Sequence, residues 1–197
     1  MKNTLMGAFV LAAALALPQA RAAILTGTSG PALNVVTDYS GAGLVSFDLD
    51  LATFTPTTFS YVLEAGDVAG PLAFNALVRN LAGTALDEFS FSLNGIAFAA
   101  AGSVTPAFGT VGSTTSGAHT AQVVFSAPEW AEFQFGNALA VPGATDWLLD
   151  TSGLRAGDTF TITAATARAA EVPEPPSTLL ALTALLGMTA AYRRKRQ

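Results

Sequence analysis

Between residues 23 and 170 the apolar positions recur at every second residue in short bursts, and clusters of Gly, Pro, Asn, Asp and Ser separate the bursts. In Leu44-Val45-Ser46-Phe47-Asp48-Leu49-Asp50-Leu51, the residues Val45, Phe47, Leu49 and Leu51 share one face and Ser46, Asp48 and Asp50 the other. Side chains along a strand alternate between its two sides, so this spacing predicts a strand that is dry on one side and wet on the other. Residues 58–64, which align Phe59, Tyr61 and Leu63, and 88–93, which align Phe89, Phe91 and Leu93 against serines, read the same way. Further strands are expected at 33–37, 72–80, 96–100, 121–125, 132–135, 147–150 and 159–165, about ten in all.

Turn signals fall between them at Gly66-Asp67, Gly70-Pro71, Asn94-Gly95, Pro142-Gly143 and Gly157-Asp158, residues that fix φ or tolerate it positive. Asn94-Gly95 flanked by alternation predicts a hairpin. The stretch 101–120, rich in Gly, Ser and Thr, is expected to be a long surface loop with room for one short strand. No apolar period near 3.6 is sustained and no 20–50-residue repeat occurs. The expected fold is all-β: two antiparallel sheets packed as a β-sandwich of jelly-roll or immunoglobulin-like type.

The two ends depart from this pattern. Lys2 precedes an apolar run over 5–17 that is closed by Pro18, and Ala20-Arg21-Ala22 offers small residues at the two positions a signal peptidase must accommodate. The run is shorter than the roughly 20 residues of a membrane span. Residues 1–22 therefore read as a signal helix, inserted by the Sec machinery and cleaved after Ala22, which leaves a β domain over 23–170.

At the other end, residues 171–176 form a Pro-rich linker, 177–192 are uncharged, and 193–197 are basic at Arg193, Arg194, Lys195 and Arg196. The prolines exclude a strand or helix interior, and Pro175 or Pro176 can open a helix. A helix over 177–192 would reach about 24 Å against a hydrocarbon core of roughly 30 Å, a gap that snorkelling arginines and local thinning can close. The basic cluster keeps the final residues in the cytoplasm and the body outside, the topology that the N-terminal signal also demands. The alternative, that 177–192 is an ordinary core helix, leaves four consecutive cations at an apolar helix end without a purpose. A lipid-anchor signal of the GPI kind would end apolar instead.

Val172-Pro173-Glu174-Pro175, the short apolar helix and the terminal Arg cluster together resemble the PEP-CTERM sorting signal of Gram-negative bacteria that make extracellular polysaccharide. The resemblance implies recognition by an exosortase after a transient inner-membrane stage with the body in the periplasm. Removal of the tail and release or attachment at the cell surface or in the extracellular matrix would follow. Within the body, Leu86-Asp87-Glu88-Phe89-Ser90-Phe91 partly resembles the FxDxF group of such proteins, with Ala85 where the group has its first Phe.

Charge sharpens the picture. Six of the nine basic residues lie in the terminal segments, so residues 23–172 hold three bases against thirteen acids, a net of 3 − 13 = −10. Nucleic acid is excluded as a natural partner of such a surface. There is no cysteine, so stability rests on packing, and the twelve Phe, two Trp and two Tyr of the body can supply it.

Candidate chemistry is sparse. His119, the single histidine, lies in the Gly/Ser/Thr stretch without a Gly-x-Ser-x-Gly elbow, and a zinc site lacks a second His or any Cys. Asp48/Asp50 and Glu129/Glu132 are the nearest carboxylate pairs for glycoside chemistry, and the first pair could also serve in part a hard cation such as calcium. Glu129-Trp130 and Asp146-Trp147 set aromatics beside acids, as sugar-binding surfaces do, although a core Trp is the commoner explanation of such a pair. The expectation is a non-enzymatic, cofactor-free surface protein with a structural or adhesive role in exopolysaccharide or biofilm. The alternative is a carbohydrate-binding or polysaccharide-acting module.

Overall fold

The computed structural model describes residues 23–168. The signal segment with Ala20 and Ala22, the sorting motif Val172, Pro173, Glu174 and Pro175, the apolar segment 177–192 and the basic residues 193–196 lie outside the described residues.

In chain order the strands are β1 (Ile24–Ser29), β2 (Val35–Asp38), β3 (Leu44–Leu51), β4 (Thr57–Val62), β5 (Leu72–Asn80), β6 (Leu86–Asn94), β7 (Ala97–Ala100), β8 (Val104–Pro106), β9 (Thr110–Ser116), β10 (Thr120–Glu129), β11 (Glu132–Phe135), β12 (Trp147–Asp150) and β13 (Thr159–Arg168), with one 3-10 turn at Asp67–Ala69. They form two sheets. The first runs β1-β4-β13-β6-β10-β9, and every neighbouring pair in it is antiparallel. The second runs β2-β3-β5-β11-β8, with β12 also on β5 and β7 on β12. β11 takes the C-terminal half of β5 and β12 the N-terminal half, so two short strands lie end to end along one long one.

Alternation closes the sandwich. β3 buries Val45, Phe47, Leu49 and Leu51 in the strict in-out pattern its sequence predicts, and β4 does so at Phe59 and Tyr61. Rings from opposite sheets then meet in the middle: Phe47 lies 4.5 Å from Phe59 between centroids, Phe74 5.2 Å from Phe91, Phe91 4.9 Å from Phe135 and Phe89 5.0 Å from Phe133. Most of these contacts are tilted or edge-to-face, the arrangement that the ring quadrupole favours.

Three features differ from the sequence expectation. β3 and β5 pair in parallel, with Leu44 opposite Ala73 and Leu51 opposite Asn80. A parallel pair needs a crossover, and here β4 in the opposite sheet supplies it, so the chain returns in its original direction. At Asn94-Gly95 the chain turns but makes no hairpin: β6 already has β13 and β10 on its two sides, so β7 crosses over to pair with β12. Gly95 adopts φ +82, and a Cβ there would lie 2.8 Å from the Thr159 carbonyl oxygen. The expected loop 101–120 contains two strands, β8 and β9, and β1 was not marked by any alternation. β9 is exposed along nearly its whole length, so it carries no buried face for a period-2 signal to record. Its pairing comes instead from the short turn that joins it to β10.

The connections between sheets are tied down by buried polar side chains. Asn34 donates to the carbonyls of Thr53 and Thr55 and to Thr57 Oγ1, and it accepts from the Thr53 amide at 2.9 Å. Asp67 accepts from the amides of Glu64 and Gly43, and Asn80 donates to the carbonyls of Thr84 and Glu129. Each satisfies backbone groups that a loop would otherwise bury unpaired.

Candidate functional site

At one end of the sandwich the chain passes from β10 to β11 through Trp130 and Ala131, and Trp130 is 61% exposed. The residue before it, Glu129, is fully buried. Its Oε2 accepts from the amides of Phe108 at 2.9 Å and Gly109 at 2.8 Å, and its Oε1 accepts from the amide of Ala131 at 2.8 Å. Burial pushes this carboxyl up, and the amide hydrogen bonds from Gly109, Ala131 and Phe108 outweigh it, so the group titrates below the ordinary glutamate value and stays ionised. One carboxylate therefore fastens the β8–β9 connection to the β10–β11 turn. Each of these segments displays an aromatic ring, Phe108 at 78% exposure and Trp130 at 61%.

The clamp is reinforced from β5. The Asn80 amide donates to the Ala131 carbonyl at 2.6 Å, the Ala107 amide to the Glu132 carbonyl at 2.9 Å, and Leu81, exposed beside Asn80, is held by its own amide on the Leu51 carbonyl. Gly109 is needed at this point, because a Cβ there would lie 2.8 Å from the Ala127 carbonyl oxygen. The result is a firmly mounted tip that shows Trp130, Phe108 and Leu81 to solvent. Rigid exposed aromatics offer contact area at small entropic cost, and flat rings accept the apolar face of a sugar or a hydrophobic side chain.

The other residues singled out from the sequence take structural positions. Trp147 is fully buried, stacks on Phe135 at 4.3 Å and donates its indole N–H to the Ser103 carbonyl. Asp146 accepts from Asn75 Nδ2 and from the Asn137 amide, so its carboxylate orders the loop before β12. Asp48 and Asp50 both meet the Arg79 guanidinium: Nη1 lies 2.7 Å from Asp50 and Nη2 pairs with Asp48. Arg79 stands directly opposite Asp50 on β3 and Glu132 on β11, and Glu132 Oε2 lies 4.0 Å from its Nε. A cation already occupies the space between the two aspartates. Among the described residues, no group of three His, Asp or Glu side chains is arranged to hold a metal ion.

Glu129 and Glu132 are also divided in role, one buried under amides and the other part-exposed beside Arg79. His119 lies exposed on the β9–β10 turn with Nδ1 3.0 Å from the Ile96 carbonyl. It lines an open cleft of about 230 Å³ together with Ile96, Asp150, Ser152 and Leu154. There the Ser152 hydroxyl and amide hold the Asp150 carboxyl below the usual range. The His119 ring meets a backbone carbonyl rather than a hydroxyl nucleophile.

Sequence reasoning missed the burial of Glu129 and the partnership of Phe108 with it. Parity gave no signal for the first: Ala127 shares the odd parity of the inward residues Val123 and Phe125 yet is exposed, because the register of β10 shifts between Val124 and Glu129. Nothing local marked the second, because Phe108 and Glu129 are joined only by the folding of two sheets.

The fold and this tip together define the class: an acidic, cysteine-free β-sandwich that displays aromatic side chains from a buried carboxylate clamp. No family model, no curated protein and no solved structure matches the chain.

Proposed function

We propose that this protein is exported, passes transiently through the inner membrane, and is displayed at the cell surface or in the extracellular matrix of a Gram-negative bacterium. Its role there is structural or adhesive, in association with exopolysaccharide or biofilm, and non-catalytic. One observation carries the reading: the three-part tail of Val172-Pro173-Glu174-Pro175, the uncharged segment 177–192 and the cations Arg193, Arg194, Lys195 and Arg196. Signal peptidase acts after Ala22, an exosortase acts at the tail, and a sandwich of jelly-roll or immunoglobulin-like type is the delivered cargo. Fractionation of expressing cells with intact-mass measurement tests it. A mature surface form lacking both 1–22 and the tail beyond about Pro176 is expected in a strain with an exosortase, and mature protein that keeps the tail there would sink the processing step.

The exposure of Trp130 favours a second reading, a module that binds carbohydrate. Sugar rings stack on exposed aromatic faces, and Glu132 beside the tip offers acceptor oxygens for hydroxyls. In this reading Trp130→Ala abolishes retention on the matrix polysaccharide while leaving the unfolding free energy within about 0.5 kcal/mol of the parent, as befits an exposed side chain. Equal retention of the variant and the parent would remove it.

A further inference from the structure

Among the described residues the first sheet leaves two open edges, β1 and β9, each guarded only by local irregularity of register. β1 reads Ile-Leu-Thr-Gly-Thr-Ser and β9 Thr-Val-Gly-Ser-Thr-Thr-Ser; neither contains a charge or a proline, and in each all residues but one are exposed. An edge strand carries a row of unpaired N–H and C=O groups, and proteins normally blunt it with shortness, proline, charge or a β-bulge. The second sheet does so. Its outer strands are β2, four residues ending in Asp38, β8, three residues ending in Pro106, and β7, four residues. Within one molecule, then, charge and proline stand at the edges of the second sheet, while the edges of the first carry neither and keep only a local irregularity. Register shifts lie near Gly27 in β1 and near Val111 in β9, which leaves 27–29 and 113–116 in regular register for a new partner.

What would cover these edges follows from geometry and charge. Only an extended backbone can satisfy a row of strand donors and acceptors. The sheet has six strands, each antiparallel to its neighbours, so β1 and β9 point in opposite directions. A second molecule displaced along the sheet without being turned over would therefore set its β1 antiparallel to β9 of the first, and the alternation would continue across the joint. Acidic groups do not oppose the approach at close range, because the two edge strands carry none. Asp38, Asp48, Asp50, Glu132 and Asp150 sit in the second sheet, and the acids of the first sheet, Asp87, Glu88 and Glu129, sit on its inner strands β6 and β10.

We infer that β9 of one molecule pairs with β1 of the next, extending the first sheet into a head-to-tail filament of this chain. Such a contact is heterologous: each joint uses one edge of each kind and leaves one of each kind open, so growth does not close at a dimer. Pairing of β9 with β9 would leave β1 bare, whereas head-to-tail pairing uses both. The inference rests on the strands of the body alone and is independent of how the protein is sorted.

The test uses full-length protein extracted from expressing cells, with Thr28→Lys guarding β1 and Thr114→Lys guarding β9. Both positions are exposed, so circular dichroism and the melting midpoint should match the parent. Sedimentation velocity of the parent is expected to show species beyond the dimer whose size grows with concentration. Each lysine variant alone should be monomeric, and Thr114→Ser should behave as the parent. An equimolar mixture of the two lysine variants should form dimers and stop there, because one supplies a free β9 and the other a free β1. The apolar tail is common to all forms, so association through it would persist in every variant and would overturn the inference. A monomeric parent, or a Thr28→Lys variant that dimerises by itself, would overturn it equally.

Discussion

Glu129 brings a formal charge to a position with no contact with water, and three amides make it tolerable there. A buried carboxylate that accepts several backbone hydrogen bonds is strongly held, and removing the charge leaves donors facing a poorer acceptor. In Glu129→Gln the new NH2 group must point at one of the amides it replaces an acceptor for, so a loss of about 2 kcal/mol is expected. The pH dependence separates this from a packing defect. The folded group titrates below the ordinary value, so its stabilisation is complete above the unfolded glutamate pKa of about 4.3 and is lost as pH falls through the folded pKa. Urea unfolding at pH 7 should therefore show the full difference between parent and variant, and the difference should shrink as the pH is taken progressively below 4. A difference that stays constant with pH would mean that the charge is not what holds the tip. Arg79 shows the opposite economy: its pairs with Asp48 and Asp50 lie on a part-exposed face, where such pairs contribute little.

At the scale of elements, the sequence pattern located β3, β4, β6 and β11 closely, because each buries one face and the alternation records it, and it located β5 as well, although residues 74–78 there are buried on both faces. It failed where little of the strand is buried or the strand is very short. β1 and β9 have little to bury, and β8 is three residues long. The Asn94-Gly95 turn illustrates a different limit. The residues specify a tight reversal with positive φ, but which sheet receives the next strand depends on whether the edges of β6 are free. Gly95→Ala tests how much this reversal matters. Its Cβ meets the Thr159 carbonyl oxygen at 2.8 Å and the backbone is at φ +82, so a loss of about 2 kcal/mol is expected. That corresponds to a fall of about 6 °C in Tm for a body of this size, read by differential scanning calorimetry. Gly143, also at positive φ but with open space around it, should lose less on the same substitution.

At the scale of the molecule, charge and edges act against each other. Residues 23–172 carry thirteen acids and three bases, so two copies repel at long range while their bare edges attract at contact. The Debye length shrinks from roughly 30 Å at 0.01 M salt to about 8 Å at 0.15 M. Filament growth should accordingly strengthen with salt over this range, seen as an increase in weight-average mass by sedimentation equilibrium. Association held by ion pairs would weaken instead. The candidate tip belongs to this scale as well: Trp130 was legible as an aromatic beside an acid, but so was Trp147, and the two sequence contexts look alike.

The sequence by itself determined that the body is all-β, which residues of its longer strands face inward, and that its acidic charge is carried without cysteine. Period-2 alternation and composition are local properties, and burial of one strand face follows from them directly. Only the tertiary structure decided that β3 and β5 run parallel, that Trp147 is core while Trp130 is displayed, and that Glu129 clamps Phe108 and Ala131 together. Those outcomes depend on which edges other strands have already taken and on contacts between separate strands and loops, such as Glu129 with Phe108, information that no stretch of neighbouring side chains contains.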